Sequence, residues 1–129
     1  MAVTYSFENL QVWQKAHSFV LLVYKVTRHF PSDEKYGLTS QFRRAAISIE
    51  ANIAEGYKKI GKSDKLRFFY IAQGSLEECR DYNILSKDLG FLQSGEFEIL
   101  HTLLEETSKL LNGYCKAVLN NAAVSKNEI

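Results

Sequence analysis

Two adjacent arginines, Arg43 and Arg44, with Lys58, Lys59, Lys62, Lys65 and Arg67 after them, concentrate the cationic chemistry of this 129-residue chain. Between residues 42 and 67 seven basic residues stand against three acidic ones, whereas residues 68–129 carry five against nine. The formal net charge is only +1, so the chain is polarised and not basic overall. Such a field steers an anionic partner, or aligns subunits positive patch to negative. A guanidinium pair forks onto carboxylates or onto phosphates. Tyr57, Phe68, Phe69 and Tyr70 lie among the charges and suit stacking on bases where exposed. The competing assignment is structural. Glu55 with Lys59 and Asp64 with Arg67 are ordinary helix-surface pairs, and Phe68 and Phe69 suit a core. Arg43 and Arg44 can also reach acidic residues such as Glu77, Glu78 or Asp81. Anion binding and structural pairing both stay open for this cluster.

Two further spellings invite chemistry and lack its context. Residues 56–63, GYKKIGKS, fit the phosphate-loop pattern in full. That pattern works when a strand enters the loop and a second strand supplies a magnesium carboxylate. Here a helical pattern enters and no strand pattern exists, so nucleotide hydrolysis is not expected. The free N–H groups at the start of the next helix, beside Lys62 and Lys65, still suit a phosphate or sulfate. Glu98 and His101 match the Glu-x-x-His of di-iron bundles, which need two such motifs and two more glutamates. One motif on a non-core face reads as a solvated stripe. His17 and His29 have no spaced partner for metal or catalysis. Cys79 and Cys115 lack a CxxC partner and read as buried small hydrophobes in a reducing cytoplasm. No catalytic residue, metal ligand or cofactor is expected, and the protein is read as a non-enzyme.

The elements that carry these groups are helices. The first runs from about Leu10 to His29, with Val12, Trp13, Ala16, Phe19, Val20, Val23 and Thr27 on one side, and Pro31 ends it. The second runs from about Leu38 to Lys59 on a stripe of Leu38, Phe42, Ala45, Ala46, Ile49, Ile53 and Gly56. Gly61 breaks the chain, and Ser63 is the expected N-cap of a third helix from about Asp64 to Leu89. Phe68, Phe69, Ala72, Leu76, Cys79 and Leu85 mark its inner side, and Gly90-Phe91 its C-terminal cap. Ser94 is the expected cap of the fourth helix, with Glu96 and Glu98 suiting its positive end. Along it Phe97, Leu100, Leu104, Thr107, Leu111, Tyr114 and Val118 alternate spacings of three and four, as in a bundle seam. A second stripe, Leu103, Leu110 and Ala117, is a candidate subunit contact. The bundle domain is placed at residues 1–119, followed by a frayed polar tail at 120–129. The opening residues MAVTYSFENLQVW lack charged, apolar and cleavage regions in signal-peptide order, so no signal peptide is expected, and the longest apolar run, Phe19 to Tyr24, is too short to span a bilayer. A cytoplasmic location without membrane partners is expected.

Phe7, Leu10, Val12, Trp13, Gln14, Lys15 and Ala16 open the chain as they open a known family. Phe30, Pro31, Glu34, Tyr36, Gly37 and Leu38 then match its first turn, and Gln41, Arg43, Arg44, Ala45, Ser48, Ile49, Asn52, Ile53, Ala54, Glu55 and Gly56 its second helix. Phe68, Gly74, Ser75, Leu76 and Glu78 match its third. Over about residues 7–118 the chain resembles the four-helix-bundle proteins encoded in intervening sequences of bacterial 23S ribosomal RNA genes. It departs at Glu50, where many relatives carry proline that bends the second helix. The resemblance implies an all-α, antiparallel up-and-down four-helix bundle assembled as a homopentamer. A related branch is the accessory protein of diversity-generating retroelements, which implies nucleic acid and a reverse-transcriptase-like protein as candidate partners. The expectation is therefore a non-enzymatic oligomeric bundle that contacts RNA or DNA backbone through Arg43, Arg44, Lys58, Lys59, Lys62, Lys65 and Arg67. The alternative is a self-assembly or protein-interaction scaffold that binds no nucleic acid.

Overall fold

The apolar stripe of the second helix, from Leu38 through Phe42, Ala45, Ala46, Ile49 and Ile53 to Gly56, is buried along its whole length. A stripe of this width needs other helices against it, and the computed structural model, which describes residues 6–120, supplies three. Its helices are α1 (Gln11–Thr27), α2 (Leu38–Lys58), α3 (Lys62–Asp88) and α4 (Glu96–Leu119), with 3-10 turns at Phe7–Asn9 and Ser32–Glu34. No strand occurs among the described residues. Each helix packs on its neighbours in sequence, α1 on α2, α2 on α3 and α3 on α4, and α1 closes the ring against α4. The short connections force antiparallel neighbours, so this is an up-and-down four-helix bundle. The tail expected at 120–129 lies, beyond Asn120, outside the described residues. Among the described residues no helix is long and apolar enough to cross a membrane.

The core is aromatic at its centre, where Phe19, Phe42 and Phe69 are fully buried. Phe42 meets Phe19 at 6.3 Å and Tyr82 at 6.0 Å between ring centroids, and Phe69 meets Tyr114 at 4.7 Å. α2 and α3 approach closely at Gly56, where a Cβ would sit 2.4 Å from Cε1 of Phe69. Glu50 does not interrupt α2. Its carboxylate lies 2.8 Å from Nδ1 of His17, whose ring stacks on Trp13, so the position at which the resemblance implies proline here ties α2 to α1.

Three local expectations need correction. α3 starts at Lys62 on Gly61, because the carbonyl of Gly61 already accepts the N–H of Lys65 at 2.9 Å; Ser63 lies inside the helix and caps nothing. α4 starts at Glu96 on Gly95, which turns the chain at φ 86°. The Glu96 carboxylate accepts from the Gln93 N–H at 2.7 Å, and the Gln93 carbonyl accepts from the Glu96 N–H at 3.1 Å, so Ser94 is not the cap. The inner side of α3 turns away from Leu85, which is exposed, and buries Asn83 and Ser86 instead. Asn83 donates to the Phe97 carbonyl at 3.2 Å and Ser86 to the Tyr82 carbonyl at 2.7 Å. The Gly90 cap forms as expected. The N–H groups of Phe91 and Gly90 reach the carbonyls of Ser86 (2.9 Å) and Lys87 (3.0 Å), and Phe91 packs on Phe30. On α4, Leu103 and Leu110 of the second stripe pack half-buried against the same core.

Candidate nucleic-acid interface

Adjacent residues on a helix point about 100° apart, and that step separates the two arginines. Arg43 turns to α1, where its Nε donates to the Thr27 hydroxyl at 2.8 Å and a terminal nitrogen to the Tyr24 carbonyl at 3.4 Å. Its guanidinium lies over the Tyr24 ring, 4.4 Å from the centroid. The Thr27 hydroxyl in turn donates to the Val23 carbonyl at 2.7 Å. Arg43 is thus a strut between α1 and α2. Arg44 turns to α3, donating to Gln41 at 3.1 Å and to the Glu78 carboxylate at 2.8 Å. That hydrogen bond raises the guanidinium pKa further. Glu78 is therefore the acid that Arg44 meets, while Glu77 pairs with Arg80 at 2.9 Å and Arg80 also reaches Glu105.

The remaining five cations gather where α2 passes into α3. Lys65 is occupied: its ammonium donates to the carbonyls of Tyr57 (2.7 Å) and Gly56 (3.1 Å), closing the last turn of α2. Burial there lowers its pKa. Lys59 touches Glu55 at 4.0 Å and lies 5.2 Å above the Phe68 ring. Arg67 lies on the same ring at 4.7 Å, so the expected pair with Asp64 does not form, and Phe68 is a half-buried platform for two cations. Among the described residues Lys58, Lys62 and Arg67 have no carboxylate within salt-bridge distance. Lys58 and Lys62 are exposed on either side of Ile60, itself 98% exposed.

The seven residues therefore fall into two places. Arg44 and Lys58 lie fourteen residues apart on one outward face of α2, about 21 Å along the axis, with Ile47, Ala51 and Ala54 between them. At the first end a concavity of 490 Å³ is lined by Tyr24, Lys35, Tyr36, Arg43 and Arg44, with no carboxylate among its lining residues. Lys35 and Tyr36 were not readable as part of a site. They belong to the turn before α2, and only the fold brings them beside Arg43. The ammonium of Lys35 lies 5.4 Å from the Tyr36 ring centre.

The other spellings take no chemical form. Gly56, Tyr57 and Lys58 of the phosphate-loop pattern are the last turn of a helix, and Lys62 and Ser63 begin another. Glu98 and His101 are exposed on α4, and the His101 ring stacks on Phe97. Among the described residues no three His, Cys, Asp or Glu side chains are placed to hold a metal. Burial raises the thiol pKa of Cys79 strongly and that of Cys115 to about 11, which leaves both as thiols at neutral pH.

The family model of the 23S rRNA-intervening sequence protein matches residues 8–113, and the chain belongs to that family. A crystal structure of a protein of unknown function from the S23 ribosomal protein family of Bacteroides thetaiotaomicron superposes with a TM-score of 0.74. The match covers 81% of this chain and 95% of that one at 22% identity, which is a likeness of fold. No curated protein matches the chain.

Proposed function

We propose that this member of the 23S rRNA-intervening sequence protein family is a non-enzymatic bundle that binds the RNA or DNA backbone at the α2–α3 turn. The observation that carries the reading is the exposure of Lys58, Lys62 and Arg67, none of which has a carboxylate within salt-bridge distance among the described residues. Lys59 adds a fourth charge, held only loosely by Glu55. Arg44 and the concavity around Lys35 offer a second contact about 21 Å away, a span of about six phosphates along one duplex strand. Arg43 and Lys65 act through position. One fixes α2 on α1, and the other fixes the turn that displays the lysines. Neutralising phosphates releases counterions, so affinity falls as salt rises. A filter-binding titration of RNA and DNA from 50 to 200 mM salt (about fourfold) tests this. Salt-sensitive binding that is lost on charge reversal at Lys58, Lys59 and Lys62 supports the reading. Salt-independent or absent binding to both polymers rejects it.

A self-assembling scaffold is favoured by a separate observation on α3. Ile71 (45% exposed) and Leu85 (42%) lie on one outward face with Gly74, where an added Cβ would meet nothing within 4 Å. A second copy in a homopentameric ring, or a reverse-transcriptase-like partner, would cover such a face. Light scattering on Ile71→Asp and Leu85→Asp tests it, a lower particle mass being the supporting result.

A further inference from the structure

In the concavity beside the turn before α2, donors outnumber the acceptors that the chain offers them. Lys35 makes no hydrogen bond or ion pair among the described residues, and its ammonium meets only the Tyr36 ring, at 5.4 Å. Arg43 spends Nε and Nη2 on the Thr27 hydroxyl and the Tyr24 carbonyl, and Arg44 spends the same two atoms on Gln41 and Glu78. Nη1 of each arginine is left without a hydrogen bond among the described residues. The decisive group is Thr39. It lines the concavity and is only 8% exposed, yet its hydroxyl has no hydrogen-bond partner among the described residues. A hydroxyl held in that position is costly unless water or a ligand completes it. The N–H groups of Thr39 and Ser40 belong to the open first turn of α2, where Glu34 covers only the Leu38 N–H, at 2.9 Å. No carboxylate lines the space, whose 490 Å³ falls within the roughly 300–1,000 Å³ of small-molecule sites. It lies where α1 runs into α2, at the opposite end of the bundle from Ser6 and Asn120, the limits of the described residues.

We propose that this concavity holds the phosphate monoester of a nucleotide, either at the end of a strand or on a free mononucleotide. The occupant has to be an anion rich in acceptors, because Lys35, Arg43 and Arg44 only donate and the Thr39 and Ser40 hydroxyls are there to donate. A monoester meets this set best. It carries about −1.5 to −2 charges at neutral pH and three acceptor oxygens. A phosphodiester inside a strand carries a single charge, and a carboxylate has only two oxygens to share among these donors. The occupant also has to carry a body, because the space is far larger than a bare phosphate fills. Tyr36 (86% exposed) and Ile47 (41%) leave apolar surface uncovered for it. That the body is a nucleotide rests on the backbone contacts proposed above, since Arg44 and Lys58 share one outward face of α2. A strand whose end sits here can run along that face to Lys58, about 21 Å away.

Three strands of one sequence test the site by filter binding: one 5′-phosphorylated, one 5′-hydroxyl, and one 5′-hydroxyl strand lengthened by a nucleotide to make up the charge. Calorimetric titration with adenosine monophosphate, adenosine and inorganic phosphate tests it without a strand. Thr39→Val keeps the shape and removes the hydroxyl. It should weaken the phosphorylated strand by about 10- to 150-fold, the range for one hydrogen bond to a charged group, and leave both hydroxyl strands unchanged. Wild type should prefer the phosphorylated strand by at least as much. Circular dichroism melts check the fold, and Lys35→Ala, at an exposed position, repeats the test if Thr39→Val does not fold. Adenosine monophosphate should bind and adenosine should not. Binding of adenosine monophosphate that Thr39→Val abolishes, with no preference among strands, supports the site with the free nucleotide as its occupant. If the phosphorylated strand gains nothing over the lengthened one and adenosine monophosphate does not bind, the assignment is overturned. Salt-sensitive binding of the hydroxyl strands would then leave the backbone reading standing, and its absence would overturn both. Inorganic phosphate that binds as tightly as adenosine monophosphate would reduce the concavity to a site for the bare ion and overturn the nucleotide.

Discussion

Alanine substitution at Gly56 and at Gly74 should move stability in opposite directions, although both glycines lie within helices. Replacing glycine by alanine inside a helix gains about 0.5–1 kcal/mol when the new methyl has room. At Gly74 it has room, because nothing lies within 4 Å of the added Cβ. At Gly56 the methyl would stand 2.4 Å from Cε1, 2.8 Å from Cδ1 and 3.0 Å from Cζ of Phe69. Carbon atoms pack at about 3.5–4.0 Å, so the ring or the helix has to give by about 1 Å. Phe69 is fully buried and held against Tyr114, so the ring cannot swing into solvent. Overpacking of this kind costs about 1–3 kcal/mol, and this contact belongs near the top of that range. Subtracting the propensity gain leaves a net loss of about 2 kcal/mol. At about 4 °C per kcal/mol, Gly74→Ala should melt about 2–4 °C above wild type and Gly56→Ala about 8 °C below it. Thermal unfolding followed by circular dichroism reads both. The steric origin has its own check, since Phe69→Leu should lower the cost of Gly56→Ala in a double-mutant cycle. A Gly56→Ala protein that melts with or above wild type would refute the close approach of α2 and α3. It would also loosen the turn placement, because the Gly56 carbonyl is one of the two that hold Lys65.

The neighbouring arginines should separate in the same assay. Arg43→Ala abandons a nearly buried Thr27 hydroxyl and a cation–π contact and should cost about 1–3 kcal/mol, and lysine should not rescue it. Arg44→Ala breaks an exposed pair with Glu78 and should cost less than about 1 kcal/mol; a larger loss there would mean the pair is shielded by another chain. In salt titrations, alanine at Lys58, Lys62 and Arg67 together should flatten the log–log slope by about 2 on single strands and by nearly 3 (about 0.9 for each phosphate) on duplex. An unaltered slope would place the polymer elsewhere. Stability should fall in alkali. Cys115 has an ordinary pKa of 9.0 that burial raises to about 11, and Tyr114 is raised from 10.0 to about 12. Because the folded values are the higher ones, their contribution is complete below about pH 9 and is lost as pH rises through about 11 for Cys115 and about 12 for Tyr114. Urea midpoints at pH 8 and pH 10.5 that coincide would contradict this.

How far the sequence could be read depended on whether a signal was local or assembled. Periodicity in α2 and α4 is local, and the residues the spacing names from Leu38 to Gly56 and from Leu100 to Tyr114 are all buried, with Thr39 and Cys115 added beside them and the seam ends Phe97 and Val118 only partly covered. α3 misled where its inner face is polar: the Asn83 amide N–H and the Ser86 hydroxyl are buried donating to backbone carbonyls, partners that spacing cannot show. Both serine caps failed for a related reason. Gly61 and Gly95 occupy the N-cap positions, so Ser63 falls inside α3 and Ser94 before α4, and no side chain caps either helix. The cationic cluster was visible as composition, but its division was not. Only the packing decides that Arg43 meets a threonine of α1, Arg44 a glutamate of α3, and Lys65 two carbonyls of the preceding helix.

That division also explains how a chain with formal net charge +1 can present a cationic end at all. Four acids of α3 and α4 pair with cations outside the turn: Glu78 with Arg44, Glu77 and Glu105 with Arg80, Glu106 with Lys15. Glu55 and Asp64 are the carboxylates of the turn region itself. The first reaches Lys59 only at 4.0 Å, and the second makes no ion pair among the described residues. Long-range charge balance is therefore satisfied while local neutralisation is not. An ionic polymer responds to the local field within a Debye length of about 8–10 Å, not to the sum over the molecule. If the turn served only to join α2 to α3, Lys65 alone would suffice, since it alone among these cations holds the backbone of that turn. Lys58, Lys62 and Arg67 add nothing to that closure, and their common exposure is what a phosphate backbone would use.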